Sequence, residues 1–161
     1  MNEQLLNLAQ RIPNELSELE RLVKRAQEGW RRIQQFSDDL YLDGVALNLH
    51  SFYSGLERLF ELIAIVIDHK LPQGSNWHRS LLEQMSVEMP GIRPAVISGK
   101  TYEALQEYRG FRHVVRHVYT FQLDVEKIRP LVEEVPTVMA QVHLELLAFA
   151  SFLEKRVQID T

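Results

Sequence analysis

The residues best equipped for chemistry lie between Tyr108 and Leu123, YRGFRHVVRHVYTFQL, which holds three arginines, two histidines and no acidic residue or lysine. Spaced by three and four residues, Arg109, Arg112 and Arg116 share one face of a helix, as do His113 and His117. Arginine brings a planar fork of permanently charged donors, and histidine can exchange a proton near neutral pH. Together they can supply what RNA self-cleavage requires: a base for the ribose 2′-hydroxyl, an acid for the leaving 5′-oxygen, and cationic donors for the crowded phosphorane. That route needs no metal. Arg112 and His117 lie about 140° apart around a helix, so they flank a ridge, and a groove formed against a second surface would suit them better.

This cationic stretch sits in an acidic chain. Lysine and arginine total 18 against 22 aspartates and glutamates, a net charge of −4, and without the three arginines the remainder stands at −4 minus 3, or −7. A focused field can hold a phosphate on such a protein, whereas the net charge argues against coating nucleic acid or an anionic membrane through bulk charge. The absence of cysteine rules out a disulfide scaffold, a thiolate metal site and a cysteine nucleophile, and suits a reducing compartment. The expected location is the cytoplasm. The N-terminus lacks a signal-peptide pattern, and the densest apolar segment, Leu56 to Ile67, carries Glu57, Arg58 and Glu61. No membrane span is expected.

Plainer readings stand beside the catalytic one. A basic helix end can simply complement the helix dipole. His113 and His117 have the spacing of a metal pair, but no glutamate of the HExxH type lies between them and no third ligand is evident, so no metal is expected. His50, His69, His78 and His143 read as scattered surface or satisfied core histidines, and Trp30 and Trp77 as packing residues. Glu57 and Arg58 read as a structural salt bridge, with orientation of the basic motif as the alternative.

The elements that must position this motif are helices. Seven glycines and six prolines fall in clumps, and alternating strand patterns are scarce. Ile12, Leu16, Leu19, Val23, Ala26, Trp30 and Ile33 form one amphipathic stripe, which Pro13 should kink or start. Ser37, Asp38, Asp39 and Asp43–Gly44 mark a break. Val45, Leu49, Phe52, Leu56, Leu59, Ile63 and Val66 form a matching stripe, which predicts an antiparallel pair at the centre of the core. LPQGSN ends that helix, and a shorter one is predicted over 77–89. A fourth is predicted from about Thr101 to Val118, and Asp124 then reads as an N-cap. The last helix should have a broken start at Pro130 and Pro136, then a stripe at Val135, Met139, Val142, Leu146, Phe149 and Leu153. The expectation is one all-α domain over 1–161, an antiparallel bundle of about five helices.

Arg112 to Tyr119 spells R-x4-H-x-Y, and with this motif the sequence resembles the HEPN superfamily, more specifically the HepT-type ribonuclease toxins. LNLHSFYSGLERLF from Leu47, NWHRSLLEQM from Asn76 and FRHVVRHVYTFQLD from Phe111 are similar to a HepT-like subgroup, so the resemblance runs from Leu47 onward and is vaguer in the first helix and C-terminal tail. It implies a metal-independent endoribonuclease without cofactor, a homodimer whose motifs meet in a cleft on the two-fold axis. Arg112 would stabilise phosphate charge and His117 would transfer protons. Tyr119 would accept AMP from an MNT-type nucleotidyltransferase antitoxin, whose added bulk and negative charge would block the cleft. Arg109, His113 and Arg116 lie outside the motif's skeleton, and charge and spacing alone suggest that they contact phosphate or partner. The alternative is a catalytically inactive HEPN module that binds nucleotides or a partner through the same groove.

Overall fold

The computed structural model describes residues 2–160, folded into helices α1 (Asn2–Phe36), α2 (Leu40–Ile63), α3 (Trp77–Met85), α4 (Gly99–His117) and α5 (Val125–Asp160). A π turn over Ala64–Asp68 extends α2, and a 3-10 turn over Thr120–Gln122 follows α4. Among the described residues there is no strand, only an isolated bridge between Met89 and Arg93. The chain is an all-α helical bundle.

Packing follows the predicted stripes. In α1, Ile12, Leu16, Leu19, Val23, Ala26 and Trp30 are buried, and in α2 so are Val45, Leu49, Phe52, Leu56, Leu59 and Ile63. The pair packs along its length, joined by a short turn in which Ser37 takes a left-handed φ of 52° and the Asp38 carboxylate accepts from Leu40 N at 3.0 Å. Asp43 and Gly44 lie inside α2 and break nothing. α5 covers the other side of α1, burying Val135, Met139, Val142, Leu146, Phe149 and Leu153, while α4 lies against α2 and α5.

The expected breaks at Pro130 and Pro136 need correction, and of the two roles expected for Pro13, kink or start, the start is excluded. Pro13 lies within α1, and Pro130 and Pro136 lie within a continuous α5, so none of them starts or breaks a helix. A proline deprives the carbonyl four residues earlier of its donor. For Pro136 that carbonyl is Val132 O, and the Gln27 side-chain amide of α1 donates to it instead. The next carbonyl back, Leu131 O, accepts from Tyr108 OH at 2.7 Å. The contact from Gln27 thus supplies the donor that Pro136 lacks. α5 is also long and apolar enough by composition to cross a membrane, contrary to the expectation that no segment is, although here its apolar stripe packs within the bundle.

Two polar devices fix the elements that carry the motif. The π turn ends in Asp68, whose carboxylate takes two hydrogen bonds from Arg93 at 2.6 and 2.8 Å, both side chains being fully buried. Arg93 also donates to the carbonyls of Gln84, Val87 and Pro94, and Gln84 donates to Asp68 at 2.8 Å, so the ion pair clamps the C-terminal end of α3 and the loop after it onto α2. At the start of α4, Ser98 Oγ accepts from Thr101 N at 3.2 Å, and Glu145 of α5 accepts from Ser98 N and from Thr101 Oγ1. A carboxylate at a helix N-terminus meets the positive end of the dipole, so α4 is anchored at the end opposite the motif.

Candidate active site

The C-terminal half of α4 lies over a polar stripe of α2. His50, Tyr53 and Glu57 recur at helical spacing on α2, and the charges of Arg112 and Arg116 bear on His50 while those of Arg109 and Arg112 bear on Tyr53. Burial, with the neighbouring Arg112 and Arg116, holds the His50 imidazole below its usual range; Glu57 acts weakly in the opposite direction. Its Nε2 is buried without a hydrogen-bond partner. Burial likewise pushes the Tyr53 phenol up, with Glu57 adding to the shift. Burial and the like charge of Glu57 also raise Glu61 on the next turn of α2.

Arg112 turns inward. Its guanidinium Nη1 lies 3.4 Å from His78 Nε2, and its Nε lies 3.9 Å from Glu57 Oε1, beyond hydrogen-bond reach. That Nε is buried and finds no partner within the chain. Glu57 is only 4% exposed, and its Oε2 lies 2.8 Å from His78 Nδ1. Glu57 therefore pairs with His78 and faces the motif, which replaces the Glu57–Arg58 salt bridge with the orienting alternative. The Trp77 indole lies against the His78 ring, with centroids 3.6 Å apart, so this tryptophan packs on the imidazole that meets Glu57 and Arg112. Trp30 is buried as expected, with Arg129 over its face.

His117 occupies the exposed last position of α4, where its ring stacks on His113 at 4.1 Å and its Nδ1 lies 2.7 Å from His113 O. A carbonyl can only accept, so Nδ1 carries the proton of that bond, and in the neutral ring Nε2 holds the lone pair. His117 is thereby presented as a base. Arg109 donates to Gln106 Oε1 at 2.8 Å, and Arg116 is exposed. Tyr119 lies beyond the helix in extended backbone, 71% exposed, with its ring parallel to that of Phe121 at 5.5 Å. Gln122 holds this turn by accepting from Tyr119 N at 2.8 Å.

The structure thus joins Arg112 to Glu57 and His78, and His117 to His113. Sequence reasoning missed His78, which is separated from Glu57 by 21 positions and from Arg112 by 34, so no local spacing could reveal it. Among the described residues no group of three or more His, Cys, Asp or Glu is arranged to hold a metal ion. A groove of about 640 Å³ between α1 and α5 shares no residue with the motif.

The HepT-like protein family matches residues 44–153, a span that starts early in α2 and includes Glu57, His78, Arg112, His117 and Tyr119. The chain belongs to this family. Comparison with curated proteins and with solved structures finds no match. In this HepT-like chain the match leaves out α1 and the end of α5, the parts where the sequence resemblance is vague.

Proposed function

We propose that this HepT-like protein is a metal-independent endoribonuclease, the toxin of a toxin–antitoxin pair, acting in the cytoplasm as a homodimer. The observation that carries the reading is the pairing, on one helix end, of an anchored guanidinium with an imidazole whose Nε2 is free to accept a proton. Family membership supports the same class. In the reaction, His117 Nε2 takes the proton of the ribose 2′-hydroxyl and O2′ attacks phosphorus. The P–O5′ bond breaks, and O5′ takes a proton from the imidazolium of the other copy. Arg112 stabilises the charge of the phosphorane. The products are a 2′,3′-cyclic phosphate and a 5′-hydroxyl.

A single copy has one R-x4-H motif, with Arg112 turned inward and His117 outward. Two-fold symmetry supplies the second histidine and closes a groove over both groups. Arg116, His113 and Arg109 extend the cationic edge along which an RNA strand would run. Tyr119 is exposed within two residues of His117, so an MNT-type nucleotidyltransferase could reach its hydroxyl. The Tyr119 oxygen would attack the α-phosphorus of ATP held by that partner, losing its proton as pyrophosphate departs, and the attached AMP would bring a phosphate to the cations that the RNA uses, which silences the site.

The test is cleavage of single-stranded RNA in the presence of EDTA. Cyclic-phosphate ends are expected, and Arg112→Ala and His117→Ala should each lower the rate about 10²–10⁴-fold, the range for loss of acid–base or oxyanion assistance. Cleavage that persists in both variants would remove the assignment. Binding without turnover by the unaltered protein would leave the inactive HEPN module instead.

A further inference from the structure

Arg112 has a neighbour whose chemistry is fixed by what lies on its two sides. A guanidinium can only donate a hydrogen bond and an ionised carboxylate can only accept one. His78 stands between such a pair, with Nε2 at 3.4 Å from Arg112 Nη1 and Nδ1 at 2.8 Å from Glu57 Oε2. The only arrangement that satisfies both contacts places the proton on Nδ1 and the lone pair on Nε2. Trp77 packs against the ring and restricts its plane.

From this geometry we propose that His78 is a positioning residue, a spacer that holds Arg112 in place while preventing its capture by Glu57. The proposal rests on the role given to Arg112 above. Buried Glu57 is the nearest anion to that guanidinium, and a carboxylate facing an arginine favours a bidentate pair that would commit two donors of the fork. Here the imidazole meets one carboxylate oxygen, and Arg112 Nε stands off at 3.9 Å from the other. The contact to His78 is the one hydrogen bond formed by the Arg112 side chain; Nε is buried without a partner, and Nη2 is uncommitted and left to meet a phosphate. Three helices contribute to the arrangement: Glu57 from α2, His78 from α3 and Arg112 from α4. The Asp68–Arg93 clamp on the far end of α3 keeps that helix in register.

The spacer role makes a prediction that plain structural support does not. His78→Leu lets Glu57 capture Arg112, so kcat for single-stranded RNA should fall about 10–10²-fold with little change in KM, as when a transition-state contact is misplaced. His78→Gln keeps one donor and one acceptor at similar separation and should retain most of the activity. Adding Glu57→Gln to His78→Leu removes the competing anion and should restore part of the lost rate. Circular dichroism melting checks that each variant folds. A readout independent of cleavage is the ¹⁵N NMR spectrum of the ring, assigned by its loss in His78→Gln: Nδ1 should be protonated and Nε2 unprotonated. Equal rates for His78→Leu and wild type, absence of rescue by Glu57→Gln, or a ring protonated on Nε2 would each overturn the proposal. If wild type cleaves no RNA, the ribonuclease reading fails by itself, and the ring spectrum together with the Arg112 Nε resonance in His78→Leu still decides whether the spacer exists.

Discussion

At the scale of single residues, the motif divides its work between a half-buried cation and exposed groups. Tyr119 hydrogen-bonds only through its backbone in this turn, and its ring meets Phe121, so its hydroxyl is not needed for the fold. Tyr119→Phe should therefore leave RNA cleavage within about twofold of wild type while abolishing AMP transfer from a cognate nucleotidyltransferase, read as the intact mass of the coexpressed protein. His50 gives a pH signature. Its charged form is disfavoured in the fold by burial and by Arg112 and Arg116. As pH falls below about 6.5, the unfolded chain takes up that proton first, so this contribution to stability is present at higher pH and lost through the depressed folded pKa. Urea midpoints between pH 7.5 and 5 should fall more steeply for wild type than for His50→Gln. Parallel curves would show that His50 contributes nothing. Arg112 and His117 were legible as a chemical pair because both lie within a turn and a half of one helix. Glu57 could be seen only as an alternative and His78 not at all, because their roles arise when α2 and α3 are brought beside α4.

At the scale of elements, the apolar stripes were legible because a period of three and four residues carries the burial pattern within one helix. The continuity of α5 was not legible, because a donor from α1 satisfies the carbonyl that Pro136 leaves without its helical partner. If Gln27 compensates for Pro136, Gln27→Ala should cost about 1 kcal/mol in the natural background and clearly less in Pro136→Ala, where a peptide N–H returns to Val132 O. A double-mutant cycle by urea denaturation measures that difference, and additive effects would separate the two residues. The Asp68–Arg93 pair is equally invisible in local sequence, since its partners meet across the π turn and the loop after α3. Arg93→Ala leaves a carboxylate buried without its partner and should destabilise the fold by about 3–5 kcal/mol. Replacing both residues with apolar ones, Asp68→Leu with Arg93→Met, should cost less than that single change. The opposite ranking in denaturant titrations would mean that the arginine's carbonyl contacts, not charge compensation, dominate the clamp.

At the scale of the whole molecule, the proposed reaction calls for a second copy, and apolar exposure near the motif indicates where it would sit. Phe121 is 83% exposed, and it borders a cavity of about 470 Å³ with Leu40, itself 72% exposed. Rings and leucines left in water beside a cationic helix end are the composition expected where two surfaces close on one another. Phe121 stacks on the exposed Tyr119 ring and leaves most of its own surface in water, so Phe121→Asp should leave the melting temperature nearly unchanged. In a two-fold interface the same substitution places two carboxylates near each other and near the cations that RNA phosphate needs. Sedimentation velocity should then show wild type as a dimer and Phe121→Asp shifted toward monomer, with RNA cleavage lost in proportion to the dimer fraction. A variant that stays dimeric and active would move the interface away from this turn. Wild-type protein that is monomeric at every concentration yet cleaves RNA at full rate would mean that one copy supplies both acid and base, with His113, whose ring stacks on His117, then the candidate for the second imidazole.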